Sequence, residues 1–292
     1  MAKKVAVKVD ERELLVSNLD KELYPDYGFT KAEVIDYYSR IAPVLLPHLT
    51  GRPLTVKRYP HGVDGHFFFE KSVSRRAPEW IRRINLPVPG STKNRESIDF
   101  AVVDNLPTLV YYANLAALEL HVPQWRVDDD GRVLPPDLIV FDLDPGPPAT
   151  IVECCEIALA LREVLRSEGL DSWAKTSGSK GMQLYAHWDG REEPSEYARR
   201  LARLLEKHHP KRVVSVMTKT ARPGKIFIDW DQNSPAKTTV APYSLRARAR
   251  PTVSTPLTWK EVESCERPQD LVFTAPDVLS RVEKRGDLFG RA

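Results

Sequence analysis

Asp142 and Asp144, separated by one leucine, end the apolar run Leu138, Ile139, Val140 and Phe141. Side chains alternate between faces along a strand, so Ile139, Phe141 and Leu143 can enter a core while Val140, Asp142 and Asp144 project together from the other face. Two carboxylates held that close repel unless a cation lies between them, and hard divalent ions such as magnesium or manganese choose oxygen ligands. The pair reads as a metal site, left at a rim by Pro145, Gly146, Pro147 and Pro148, which end the strand. A solvated turn is the alternative, since acidic residues often precede Pro-Gly. On this segment alone the two readings weigh equally. The stretch Lys225 to Asp231 shifts the balance by placing Asp229 on the face opposite Ile226, Ile228 and Trp230. A third carboxylate gives a site able to hold two ions, which clamp the attacking and leaving oxygens of a phosphoryl transfer. Asp231 either joins that set or starts the turn Gln232, Asn233, Ser234 and Pro235.

Between the acidic segments lies Lys175, Thr176, Ser177, Gly178, Ser179, Lys180, Gly181, Met182, Gln183, Leu184 and Tyr185. Glycines let backbone amides approach an anion, hydroxyls add donors and a lysine adds charge, which suits a triphosphate. The Walker spacing is missing, so a simple hairpin turn stands as the alternative. Lys180 between two glycines favours phosphate contact. His121, at the end of an apolar segment, is either a structural hydrogen-bonding group or a ligand contact. Phe67, Phe68 and Phe69 are either core or, on an outward face, a platform for a base. Basic residues accumulate from Arg199 to Lys225, and Arg246, Arg248 and Arg250 alternate beyond them. Arg199 to Lys207 suits an exposed helix stripe, whereas the alternating arginines can track phosphates.

The elements that must position these groups are legible in part. Thr30 with Glu33 forms a capping-box signature, and Val34 to Leu46 recur at helical spacing, which predicts a helix over 31–46. Strands are expected over 54–59 and 66–69, joined by a turn at Gly62 to Gly65, and a second helix over 106–120. From Pro135 the order is strand 138–143, helix 151–167, strand pair 172–187, helix 193–208, and strands near 213–217 and 225–230. The stretch from Pro251 to Pro256 leads to a short helical tail. That alternation is α/β with a mixed sheet, divided into an N-terminal module over 1–134, a catalytic core over 135–250 and a tail over 251–292.

With 292 residues, 42% of them hydrophobic, the chain can bury a proper core. A net charge of +3 is too small to define a nucleic-acid partner by itself, and three cysteines show neither a disulfide framework nor a zinc spacing. The first residues alternate lysine with valine rather than forming a signal peptide, and no apolar run is long enough to span a bilayer, so a cytoplasmic location and no membrane partner are expected.

The string Val140 to Pro145, the loop Ser177 to Tyr185 and the block from Phe227 through Gln232, Asn233, Lys237, Thr238 and Ala241 to Arg246 resemble the polymerase domain of bacterial DNA ligase D. The resemblance runs from Asn18, Leu19, Asp20 and Lys21 to the arginines near 250. It implies a primase-polymerase fold of the archaeo-eukaryotic primase superfamily, α/β with a mixed, largely antiparallel central sheet flanked by helices, serving non-homologous end joining. By the same resemblance Asp142, Asp144 and Asp229 hold two manganese or magnesium ions. His121, Ser177, Ser179, Lys180, Gln232, Lys237 and Arg246 bind the nucleoside triphosphate, ribonucleotides being preferred. Asn18, Lys21 and Lys31 grip a 5′ phosphate at a gap or broken end; Lys57, Phe68 and Phe69 meet the template, and Arg222 lies near the primer. A separate ATP-dependent ligase and the Ku end-binding protein are the implied partners, since no Lys-x-Asp-Gly adenylation motif occurs here. Gln183 departs from the histidine that many relatives carry; it can donate a hydrogen bond but carries no charge. A metal-dependent nuclease and a non-catalytic end-binding module are the rival readings.

Overall fold

The computed structural model describes residues 4–88 and 95–290, so the outermost residues of the segments 1–134 and 251–292 lie outside it. The hairpin β1 (Lys4–Val9) and β2 (Arg12–Ser17) precedes a short pair, β3 (Glu22–Tyr24) and β4 (Phe29–Thr30), which leads into helix α1 (Lys31–Leu49). Thr30 and Glu33 cap this helix reciprocally, Glu33 N donating to Thr30 Oγ1 at 3.3 Å and Thr30 N to Glu33 Oε2 at 2.7 Å. The helix runs three residues beyond the expected end because Leu49 still points into the core.

Then follow β5 (Thr55–Arg58), β6 (Phe68–Glu70), the hairpin β7 (Arg83–Pro87) and β8 (Ser97–Ala101), helix α2 (Leu106–Asn114) and β9 (Ala117–Val122). The single helix expected over 106–120 is therefore two elements. Ala116 takes a left-handed φ of 57° at the junction, and β9 is buried almost throughout, so its continuous apolar run carried no period to tell strand from helix. β10 (Leu138–Pro145), α3 (Ile151–Ser167), β11 (Ser172–Thr176), β12 (Met182–His187) and α4 (Pro194–His208) fall where the sequence places them, to within two residues. β13 (Val213–Val214) and β14 (Ile226–Asp229) are shorter than expected. β15 (Thr239–Val240), β16 (Pro256–Leu257), α5 (Trp259–Glu263) and α6 (Ala275–Arg285) complete the order.

The fold is mixed α/β. A six-stranded sheet has the order β13-β14-β10-β12-β11-β16 and is antiparallel except for the β13/β14 pair. A four-stranded sheet has the order β15-β9-β5-β6. One face of the larger sheet buries Ile139, Phe141, Leu143, Leu184, Ile226 and Ile228 against Leu161 and Leu165 of α3 and Leu201 and Leu205 of α4. Its other face supplies Val140, Trp173 and Tyr185 to a second core built from α1, α2 and the smaller sheet. That second core also takes Tyr243, Leu245, Val253, Ala275, Val278 and Phe289. The segment after Pro251 is thus more than a helical tail: β16 is an edge strand on β11, and α6 packs among residues of α1.

Candidate active site

Asp142 and Asp229 stand directly opposite each other across the antiparallel β10/β14 pair, and Asp144 faces Phe227 one step on. Strand alternation does the placing. Ile139, Phe141 and Leu143 are fully buried against the helices, as are Ile226 and Ile228, which leaves the acids on the other face. Burial raises the pKa of Asp142 strongly; the Asp144 and Asp229 charges push the same way, and the Gln183 amide and Lys175 oppose them. Asp144 is likewise raised, by burial and then by Asp229, against the pull of Arg222 and Arg246. Together with Asp229, these two acids form an oxygen-only donor set suited to a hard divalent cation. They do not form a closed cage. Among the described residues no three His, Cys, Asp or Glu side chains are grouped tightly enough to hold a metal ion. Asp229 instead caps the turn that follows it, accepting from Asp231 N at 3.2 Å and Gln232 Nε2 at 2.8 Å. Like-charge repulsion favours that outward engagement.

Asp231 belongs to the turn: it accepts from Ser234 Oγ at 2.7 Å and pairs with Lys237 at 3.1 Å. Asn233, which the sequence reading left without a role, clamps β10 beside the acids. Its Oδ1 accepts from Val140 N at 2.8 Å and its Nδ2 donates to Val140 O at 2.7 Å. A buried side chain thus replaces the strand neighbour that β14 does not reach far enough to provide.

The loop between β11 and β12 folds on Ser177, whose Oγ accepts from Ser179 N and Gly181 N, both at 3.2 Å. Gly178 has φ of 66°, and a Cβ there would lie 2.7 Å from Arg246 Cγ; at Gly181 a Cβ would lie 2.1 Å from Leu143 O. Only glycine lets the loop press against the acidic strand. Arg246 donates to Ser177 O and Arg248 to Ser179 Oγ, so two of the alternating arginines pin this loop. Lys180 is exposed and forms no ion pair among the described residues. With Gly178, Ser179, Pro145 and Thr150 it borders a cavity of about 310 Å³.

Three of the expected nucleotide and template residues share one partner that sequence reasoning missed. Glu119, 2% exposed, accepts from His121 Nε2 at 3.0 Å and faces Arg246 Nε at 3.4 Å and Lys57 Nζ at 3.8 Å. Burial alone would raise its pKa, but the His121 hydrogen bond and the Arg246, His121 and Lys57 charges hold it at about 2. Burial depresses His121, against the pull of Glu119. The signal for Glu119 was present: it lies two residues from His121, hence on the same strand face. Lys57 Nζ sits 4.3 Å from the Phe67 ring centroid, 5.2 Å from Phe69 and 5.6 Å from Tyr59. Phe67 and Phe69 therefore share the face of Lys57 and His121, while Phe68, expected beside Phe69, alternates to the other side.

Asn18, Lys21 and Lys31 are gathered by β3 and β4. Asn18 takes a left-handed φ of 54° and its carbonyl accepts from Lys21 N at 3.1 Å, while Lys31 N donates to Lys21 O at 2.8 Å. Lys31 Nζ donates to Ser17 O at 2.6 Å, and burial, then Lys21 and Arg58, lower its pKa to about 8. Arg222 lies 3.7 Å over the Phe227 ring, next to Asp144's cross-strand position.

The sequence pattern of the LigD primase-polymerase domain matches residues 30–289. The chain is 45% identical over 276 residues to the multifunctional non-homologous end joining protein LigD of Mycolicibacterium smegmatis, covering 94% of this chain and 35% of that protein. It is 31% identical over 277 residues to the bifunctional LigD of Bacillus subtilis, covering 94% and 43%. It therefore spans well under half the length of these relatives. Among solved structures, the polymerase domain of Mycobacterium tuberculosis ligase D in complex with DNA aligns with a TM-score of 0.88 at 41% identity, covering 95% of this chain and 97% of that one.

Proposed function

The chain belongs to the LigD primase-polymerase domain family and is a nucleotidyltransferase, and on that premise we propose that it extends a primer, template-directed, across short gaps and at broken DNA ends during non-homologous end joining. The observation that carries this reading is the shared rim of Asp142, Asp144 and Asp229, facing a glycine-rich loop pinned by Arg246. Those acids would hold two manganese or magnesium ions, which supply stabilisation of the attacking 3′ oxygen and the departing pyrophosphate.

The chain's own residues do the rest. Lys180 and Arg246 offset triphosphate charge, His121, Ser177 and Ser179 offer hydrogen-bond donors, and Gln232 and Lys237 flank the same pocket. Lys57, Phe68 and Phe69 meet the template and its bases, Phe68 from the opposite face of the strand, while Arg222 approaches the primer. Asn18, Lys21 and Lys31 hold the 5′ phosphate on the far side of the gap. Ribonucleotides are the preferred substrate. An ATP-dependent ligase activity seals the product, Ku delivers the end, and the work takes place in the cytoplasm.

Primer extension tests this directly. Purified protein with manganese and nucleoside triphosphates extends the primer of a gapped, 5′-phosphorylated duplex, and Asp142→Ala does not. Failure of the wild type, or ordinary turnover by the variant, removes the proposal. Cleavage of labelled DNA without nucleotide would point to a nuclease instead.

A further inference from the structure

Lys175 is fully buried, yet it forms no ion pair among the described residues. Its ammonium donates to Gln183 Oε1 at 2.6 Å and to Ser254 Oγ at 2.7 Å, and the Ser254 hydroxyl donates in turn to Thr176 O at 2.8 Å. Burying an ammonium without a carboxylate beside it is costly, and packing alone gives no reason for it. Burial accordingly pushes its pKa well down, and Asp142 is the charge that opposes this. The register explains the link. Asp142 is the cross-strand partner of Gln183, and Gln183 is that of Lys175, so acid, amide and ammonium form one row across β10, β12 and β11.

The row leaves the amide one orientation. Gln183 Oε1 accepts from Lys175 and also from Tyr185 Oη at 3.2 Å, which uses both lone pairs of an amide oxygen. Tyr185 is held in turn by Thr239 at 2.9 Å, and Thr239 accepts from Gln124 at 2.8 Å. With its oxygen tied, the amide presents its NH2 group towards Asp142. Turned over, it would set oxygen against carboxylate and NH2 against ammonium.

We infer that Lys175 is a positioning residue for the metal site: it fixes the Gln183 amide so that the NH2 group holds the Asp142 carboxylate aimed at the cation. The inference rests on Asp142 being a metal ligand. It is tested by manganese binding to the full chain without nucleotide or DNA, followed calorimetrically and by the paramagnetic resonance of free manganese. Lys175→Met binds manganese about tenfold more weakly than wild type, as does Gln183→Leu, in line with the usual cost of removing a group that orients a ligand. The double variant binds no more weakly than Gln183→Leu, because Lys175 acts through the amide. Wild-type affinity in Lys175→Met overturns the inference. Tighter binding also overturns it, since that is what a cation acting only through its charge would produce on removal. If Lys175→Met does not fold, Tyr185→Phe decides: weaker manganese binding that vanishes in the Gln183→Leu background supports the row, and unchanged binding overturns it. Wild-type protein that binds no manganese defeats the metal reading itself, a result distinct from either.

Discussion

His121 donates to Glu119 at 3.0 Å from the same face of β9, and the same carboxylate faces Lys57 and Arg246, so one buried acid organises cations assigned to both nucleotide and template. Removing it leaves these charges uncompensated. Glu119→Gln should destabilise the protein by about 3 kcal/mol, the usual scale for breaking a buried ion pair, and should raise KM for the nucleotide. Denaturant melts and initial rates check both effects.

The same carboxyl fixes a pH dependence. It ionises at about 2 in the fold against an ordinary 4.5, so its stabilisation is complete above 4.5 and is lost as pH falls towards 2. Melting temperatures taken between those limits should fall less steeply for Glu119→Gln than for wild type.

Asp142 has the opposite sign. Its raised pKa means that the ionised form strains the metal-free fold, which gains stability as pH falls from mildly alkaline values towards the ordinary 3.8. Asp142→Asn should abolish nucleotide incorporation and yet stabilise the metal-free protein by about 1 to 2 kcal/mol at neutral pH. Calorimetric melts with and without manganese separate the two: the ion should raise the wild-type midpoint and leave that of the variant nearly unmoved.

Asn233 gives a structural test. Truncation to alanine orphans both backbone groups of Val140, at a cost of about 2 to 3 kcal/mol. Hydrogen exchange should show faster opening of the Val140 amide, and turnover should fall because β10 carries two of the acids.

The aromatic strand discriminates between its two faces. Phe67→Ala and Phe69→Ala should each weaken binding to gapped DNA about tenfold, the scale of one lost base stack, whereas Phe68→Ala should have a smaller effect. Fluorescence anisotropy with a labelled duplex measures all three.

Much of the stretch from Leu138 to Asp229 was legible because its signals are local. Strand alternation put Asp142, Asp144 and Asp229 on one face, and a capping box marked the start of α1. The helix expected over 106–120 failed where burial on both faces erased the period. The hairpin of β7 and β8 and the edge strand β16 were missed, the last because two residues carry no pattern and its pairing with β11 is set by tertiary contact. Glu119 could have been found from its place two residues before His121, but Asn233 and Lys175 were silent. Asn233 and Lys175 each act on a partner on another strand, and nothing in their immediate neighbours announces it.

Leu257 and Leu271 sit in one hydrophobic interior, and Ala275, Val278 and Phe289 in the other, beside residues of α1 such as Val34 and Tyr38. Neither interior closes without the segment from Leu257 to Phe289. Removing α6 should therefore uncover Val34 and Tyr38 and loosen the interior they share with the smaller sheet, so this helix is a structural wall and not an appendage.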